Sequence, residues 1–344
     1  MHGFFNGKSG GKMDADKGRL MPNSGTFFSV IVPSLNSNEH IGECLASVLA
    51  NDSSIGFEVI VVDNGSTDGT VETAKSMGVA VIENNPGKRK TIAAQRNMGA
   101  ALGTGRIYVF IDSDIVVPKD CLKKAKEFFD AGFSGALGFT YSVPGSAGWV
   151  AWAWGTRRYL KLNTIKNVSH LFGANIFINR DVFYEAGGFD ESLVTNEDKD
   201  LTMRIRKAGH RVVSVPEDGL LHLGYEKDLV DFIRKEFWRQ GSSLSAAKKH
   251  GLSFKSLKHP MLCAWHIFCA VLIFAACSFG ANSIALILFA IWLLPSVLVT
   301  LTKVDFDIAP ASFAPLYFFL TFLRWNVAGA ALISQLVSGK RGDR

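Results

Sequence analysis

Residues 261–302 hold no Asp, Glu, Lys or Arg. This constrains the fold more than any other stretch, because a helix that crosses a bilayer needs about 20 mostly apolar residues. Two segments of about that length fit inside it, Met261–Phe279 and Ile284–Leu301, with Gly280-Ala-Asn-Ser283 as the turn between them. The expectation is a transmembrane helical hairpin over residues 261–302. Residues 308–338 are also long and apolar, but Arg324 sits near their middle. A central Arg costs roughly 2.5–3.5 kcal/mol on insertion scales. This third hydrophobic segment is therefore expected to be re-entrant, interfacial or spanning. A full span would carry the basic tail Gly339–Arg344 to the outer side, against the positive-inside tendency.

Charged residues are spread through the rest of the chain as in an ordinary soluble domain, so the shift near Pro260 marks the main boundary. Between Lys227 and His259 there are eight Lys or Arg and three Asp or Glu, a local charge of +5. A basic juxtamembrane segment over residues 242–260 suits the cytoplasmic face of a membrane and its lipid. The whole chain carries +6. Nucleic acid is the usual partner of a basic chain, but this basic stretch leads straight into apolar segments, so no nucleic-acid partner is expected. The five cysteines form no Cys-x-x-Cys pair, and reduced thiols are expected rather than a zinc site or a disulfide framework. Residues 1–25 are rich in Gly, Lys, Asp and Asn and read as a flexible segment.

From residue 28 onward, apolar runs alternate with helical patterns. Phe28–Pro33, Phe57–Val62, Val79–Ile82 and Ile107–Ile111 read as buried strands. Between them, Ile41, Cys44, Leu45, Val48 and Leu49 line one helix face. Thr70–Met77 reads as a helix stopped by Gly78, and Thr91–Leu102 as another. Nearly all-apolar strands separated by helices indicate an α/β fold, a mostly parallel sheet with helices on both faces. Ligands of such sheets bind beyond the C-terminal strand ends. Pro33, Asp63 and Asp112 all fall there. Residues 134–169, with Trp149, Trp152 and Trp154, read as less regular. The tryptophans suit sugar stacking, a membrane interface or core packing. Further on, Val182–Gly188 and Asp198–Ala208 read as helices and Arg211–Val215 as a strand.

Asp112-Ser113-Asp114 follows a buried strand. Two carboxylates one residue apart can reach one cation from the same side, and hard oxygen ligands suit Mn²⁺ or Mg²⁺. Alone, the triplet reads better as a solvated turn. Its neighbours add to it. Val30-Ile-Val-Pro-Ser-Leu-Asn36 with Glu39, Val61-Val-Asp-Asn-Gly-Ser-Thr-Asp-Gly-Thr70, Ala93-Ala-Gln-Arg-Asn-Met-Gly99 and Phe110-Ile-Asp-Ser-Asp114 occur in that order. Together they closely resemble the family-2 glycosyltransferases, which have the Rossmann-like GT-A fold. Thr195-Asn-Glu-Asp-Lys-Asp-Leu-Thr-Met-Arg-Ile-Arg206 resembles the same family's Glu-Asp motif and the helix after it. The resemblance runs from about Phe28 to about Gly241, and residues 26–241 are taken as the glycosyltransferase domain.

The resemblance implies a nucleotide-sugar donor site made from Pro33, Asn36, Glu39, Asp63, Asn64, Arg96 and Asp112, with Asp63 towards the base and Arg96 towards the phosphates. It implies that Asp114 and Asp112 hold the metal, joined by His222, for which a satisfied core histidine is the alternative. Asp198 would be the general base, with Glu197 its nearest competitor. Gly173, Ala174 and Asn175, in the small-residue loop Phe172-Gly-Ala-Asn175, would line the donor sugar. Arg234, Arg239 and Gln240, in a basic aromatic stretch, could touch phosphate or simply face a membrane. Glu39 could instead favour a helix N-terminus, Asp63 could close an Asx-turn, and Asp198 could only cap its helix.

The resulting expectation is a membrane protein with its catalytic domain on the cytoplasmic face. It would transfer a sugar with inversion from a nucleoside-diphosphate-sugar donor, UDP-sugar favoured, to a lipid-linked or saccharide acceptor near the membrane. Membrane lipid is an expected partner, and a homo-oligomer is compatible with the sequence. A processive polysaccharide synthase is the alternative, although no Gln-x-x-Arg-Trp match is present. A catalytically silent sugar-nucleotide or lipid-binding protein is another.

Overall fold

The computed structural model describes residues 13–14, 19–20, 25–84, 90–156, 160, 164–217, 219–239 and 254–338. The chain divides into two compact units that interleave along the sequence. One comprises Met1–Gly138, Asn167–Glu191 and Leu201–Val213, the other Phe139–Lys166, Ser192–Asp200 and Ser214–Arg344.

The first unit is built on strands β1 (Phe28–Ser34), β2 (Phe57–Asp63), β3 (Ala80–Glu83) and β4 (Ile107–Ile111). Helices α1 (Ile41–Leu49), α2 (Thr70–Ser76) and α3 (Ile92–Leu102) connect them, and α4 (Cys121–Asp130) follows. Four further strands complete the sheet: β5 (Gly135–Phe139), β6 (Lys166–Asn167), β7 (Asn175–Asn179) and β8 (Arg211–Val215). The eight-stranded order is β3-β2-β1-β4-β7-β5-β8-β6. β1 pairs in parallel with β2 and β4, and β2 with β3. The sheet turns antiparallel where β7 meets β4 and β5. Every residue of β1 and β4 is buried, as near-continuous apolar strands of a covered parallel sheet must be.

The first four strands and three helices fall within a residue or two of the sequence expectation. β5 and β7 do not, because residues 134–169 read as irregular and Phe172–Asn175 as a loop. β5 is Gly-Ala-Leu-Gly-Phe, and glycine weakens strand propensity. Its burial on both faces, rather than local preference, makes it a strand. Helix α6 (Arg180–Glu185) starts two residues before the expected position, where the Asn179 side chain accepts from the Asp181 N–H. Helix α7 (Glu197–Lys207) lies where expected.

The spacing of the Arg-Asn-Met-Gly99 segment has a packing cause. α3 lies so close on the sheet that a Cβ at Gly99 would stand 2.4 Å from Ile31 and 3.2 Å from Val62. Only glycine lets this helix settle at that distance.

The second unit contains α5 (Trp149–Gly155), α8 (Leu229–Arg239), α9 (Phe254–Ser278), α10 (Asn282–Lys303) and α11 (Phe313–Ser338). Pro260–Ser278, Asn282–Lys303 and Phe313–Ser334 are each long and apolar enough to cross a membrane. α9 begins at Phe254 and runs through Pro260, so the compositional boundary falls inside a helix. α11 is continuous through Arg324. Its N-terminal half is packed rather than exposed. Val150, Ala153, Phe232 and Leu320 are buried together. Trp152 meets Phe313 edge-on at 5.3 Å and Trp154 meets Phe232 at 5.2 Å. Two of the three tryptophans are therefore core residues, and Trp149 is exposed.

Gly99→Val should lower stability by about 1–3 kcal/mol, the usual cost of overpacking a close-packed contact. Thermal unfolding of the purified full chain against the unsubstituted protein measures it.

Candidate active site

The C-terminal ends of β1, β2 and β4 are adjacent by register: Ser34 pairs with Asp63 across β1 and β2. Asp63 is buried, and its carboxylate is saturated from within the loop. The Ser34 hydroxyl donates to it at 3.0 Å, the N–H groups of Gly65 and Ser66 at 2.9 and 2.8 Å, and the Ser66 hydroxyl donates as well. Four donors match the roughly four acceptor sites of a carboxylate. Asp63 thus closes the Asx-type turn and moulds Asn64–Gly69. Asn64 is buried beside it and holds Lys90 by a pair of bonds at 2.9 and 3.0 Å.

The loop after β1 is tied to this turn. Asn36 is exposed in the left-handed region, at φ 49°. Its N–H donates to the Ser66 hydroxyl at 2.8 Å, and its side-chain oxygen accepts from the Thr67 N–H at 3.0 Å. Asp68 accepts from the Asn38 and Thr70 N–H groups at 3.0 and 3.1 Å. Burial works to raise the Asp68 pKa, but these bonds and that of the Thr70 hydroxyl outweigh it and hold it below the ordinary carboxylate value. Pro33 is buried in β1, and Glu39 lies exposed just before α1.

Arg96 is only 1 % exposed. A guanidinium taken out of water needs partners. It donates to Asp112 Oδ1 at 2.7 Å and to the Gly173 carbonyl at 3.2 Å, and lies 5.3 Å from the Phe189 ring centre. A Cβ at Gly173 would stand 2.7 Å from the guanidinium, so a side chain there would displace Arg96 from its present position. The Asp112 N–H donates to the Ala174 carbonyl at 3.1 Å, and Asn175 is paired opposite Ile111. Ala174 and Asn175 are buried. Three separate segments, α3, the end of β4 and residues 173–175, are thereby fixed around one carboxylate. The sequence resemblance turned Arg96 towards donor phosphates; in the structure its guanidinium grips Asp112.

Asp114 is half-buried two residues on. The Cys44 thiol beneath is fully buried and 3.6 Å from the Asp112 carbonyl. Burial pushes its pKa well up, and the negative charge of Asp114 and, less strongly, of Asp112 adds to that. Asp112 and Asp114 thus stand one residue apart at the end of β4. Such a pair of hard oxygen donors fits a divalent cation such as Mn²⁺ or Mg²⁺. Among the described residues, no three His, Cys, Asp or Glu side chains are gathered into a metal-holding group.

The remaining candidates lie in the second unit. Glu197 is buried and Asp198 half-buried in the first turn of α7, where the Lys199 N–H donates to Asp198 Oδ1 at 2.6 Å. Acidic side chains there are favoured by the helix dipole. His222 is half-buried; its N–H donates to the Ser142 carbonyl at 2.8 Å and its ring meets Tyr141 edge-on. Arg234 is exposed on α8. Arg239 is committed elsewhere, 2.6 Å from Glu226 and 2.7 Å from Glu236. Burial works against its charge, but the two glutamates more than offset that and raise its pKa. Gln240 lies outside the described residues.

Sequence reasoning missed Glu236. It is 2 % exposed and also pairs with Arg324 of α11, Nε to Oε2 at 3.1 Å. The available signal was a single acid on the Phe232 face of an otherwise basic amphipathic helix. This pair explains how an apolar helix tolerates a central arginine.

The mostly parallel eight-stranded sheet with helices packed on it has a GT-A-like architecture. Residues 29–187 match the family model for glycosyl transferase family 2. They form a family-2 glycosyltransferase domain, which takes up a little under half of the chain. The glycosyltransferase AglE of Haloferax volcanii is 29% identical over 195 residues, covering 54% of this chain and 62% of that protein. The poly(ribitol-phosphate) beta-N-acetylglucosaminyltransferase TarS of Staphylococcus aureus is 36% identical over 120 residues, 32% of this chain and 20% of that one. The chain spans under two thirds of the length of these curated relatives. A mannosyltransferase from Pyrobaculum calidifontis, solved in complex with GDP-Man and Mn²⁺, shares the fold at a TM-score of 0.58. It is 21% identical, and the likeness covers 93% of this chain and 90% of that one.

Removing the clamp by Arg96→Met should cost about 1–3 kcal/mol, because it takes a charged donor away from the half-buried Asp112 carboxylate and from the Gly173 carbonyl. The double variant with Asp112→Asn should cost less than the two single changes summed. Chemical denaturation of the four proteins reads both outcomes.

Proposed function

We propose that the protein transfers a sugar, with inversion, from a nucleoside-diphosphate-sugar donor to a lipid-linked or saccharide acceptor at a membrane. The observation that carries this reading is the Asp112 carboxylate gripped by buried Arg96, with Asp114 beside it, at a strand edge shared with Asp63. Asp63 and Asn64 hold the loop of Asn36 in shape for the nucleoside, with Pro33 below it and Glu39 beside it. Arg96 acts through Asp112 as a positioning residue, and Gly173, Ala174 and Asn175 bring backbone close to the donor sugar.

Asp114 and Asp112 would hold Mn²⁺ or Mg²⁺, with His222 as a further candidate ligand. When bound, such an ion supplies Lewis-acid stabilisation of the charge growing on the departing diphosphate. Asp198 is assigned as general base. It takes the proton of the acceptor hydroxyl as that oxygen bonds to the anomeric carbon and the bond to the nucleoside diphosphate breaks. Glu197, more deeply buried, is the second candidate. The basic residues between Lys227 and His259 support a cytoplasmic catalytic domain. UDP-sugars are the favoured donors. GDP-sugars are the first competitors to test, and a lipid-linked acceptor suits a domain joined to apolar helices.

Asp198→Asn should lower the rate of transfer in membranes by about 10²–10⁴-fold, the usual contribution of a positioned base, with donor affinity kept within a few-fold. Unchanged transfer would remove the base assignment. Calorimetric titration of the full chain with UDP- and GDP-sugars should give binding in Mn²⁺ or Mg²⁺ that a chelator abolishes and that Asp114→Asn weakens. Equal affinity with and without a chelator would remove the metal role.

A further inference from the structure

We propose that α8 braces the segment that follows His222, and that Glu226 and Arg239 are positioning residues for that histidine. Asp231, Lys235 and Arg239 are spaced four apart and so share one side of the helix. Each of them reaches back to the chain just before it. The Asp231 carboxylate accepts from the Lys227 N–H at 3.1 Å. The Lys235 ammonium donates to the carbonyls of Gly224 and Tyr225 at 3.1 and 2.9 Å and pairs with Asp231 at 2.9 Å. Those contacts match the three donors of a lysine. Arg239 pairs with the Glu226 carboxylate at 2.6 Å. Four successive residues, 224–227, are thereby each tied to the same side of α8.

The brace is itself anchored. Glu226 and Glu236 are both buried. The two oxygens of Glu236 are divided, Oε1 2.7 Å from Arg239 and Oε2 3.1 Å from Arg324 of α11. Glu226, Arg239, Glu236 and Arg324 therefore alternate in sign along one run, from the segment after His222 to a helix long and apolar enough to cross a membrane.

Neutralising Arg324 accounts for Glu236, but it does not account for Glu226. Arg239 ends α8, where the helix dipole already favours a cation and water could hydrate it. Burying a second carboxylate costs free energy that an exposed residue would not incur. What Glu226 adds is a fixed path for residues 224–227. His222 stands at the head of that path, and its own N–H donates to the Ser142 carbonyl at 2.8 Å. The histidine is thus held on both sides along the chain, and its backbone cannot shift far without breaking a buried ion pair. The consequence for the reaction rests on the reading of His222 as a metal ligand.

Hydrogen exchange of the full chain in lipid bilayers, followed by mass spectrometry, tests the brace without donor, acceptor or metal. In Glu226→Gln the amides of residues 222–228 should exchange about fivefold or more faster, while those of β1 and α3 keep their rates. Arg239→Gln should do the same, and Arg239→Lys should restore slow exchange. Glu226→Gln should also need about 10–100-fold more Mn²⁺ for half-maximal transfer, the usual cost of loosening what holds a metal-binding histidine, with the KM for nucleotide-sugar at saturating Mn²⁺ kept within about threefold. In a His222→Ala background Glu226→Gln should have no further effect on transfer, because a positioning residue acts only through the group it positions. Unchanged exchange at residues 222–228 in Glu226→Gln would overturn the proposal, and so would full additivity of the two substitutions. If Arg239→Gln fails to fold, Glu226→Gln, which alters one carboxylate at the end of the run, decides alone. Unaltered transfer by His222→Ala would remove the ligand reading and the positioning role with it, while exchange would still decide the brace.

Discussion

The ion pair between Arg96 and Asp112 is the constraint around which the catalytic half of the molecule is arranged. A guanidinium with 1 % exposure cannot be left without partners. Its cost is offset only if several segments arrive together: α3 bearing the arginine, β4 delivering the aspartate, and residues 173–175 offering a carbonyl. Two glycines follow from the same demand. Gly99 brings α3 down to the sheet, and Gly173 leaves room for the guanidinium. The pair also sets where negative charge gathers. With the charge on Asp112 partly balanced, Asp114 can stand two residues away without the full repulsion of two adjacent carboxylates.

Much of this half was legible in the sequence, for a physical reason. Strands buried on both faces must be apolar throughout, so β1, β2 and β4 announce themselves and end where polar residues begin. Asp63 and Asp112 are prominent because each closes such a run. Their partners were less visible. Hydrogen bonds such as those joining Asn36 to Ser66, or Arg96 to Gly173, link residues far apart in sequence, and no local pattern encodes them. β5 and β7 were lost for a different reason: glycine and a short apolar run look like loop until burial selects them.

The second unit was legible by length and composition but not by chemistry. Absence of charge located α9 and α10 as helices long and apolar enough to cross a membrane. It could not explain Arg324, whose partner lies 88 positions earlier in the chain. The ion pairs of Arg239 were equally hidden. A basic, aromatic helix near a membrane suggests phosphate, yet Arg239 is occupied by Glu226 and Glu236. Composition reports the charge a helix carries, not whether that charge is already spent inside the protein.

The pairing of Glu236 with Arg324 also bears on how the chain holds together. α8 and α11 each carry a charge that is costly to bury alone. Either helix alone would leave a charge without its counter-ion at a packed face, so α8 and α11 should gain stability together and lose it together, and residues 88 positions apart behave as one cooperative block.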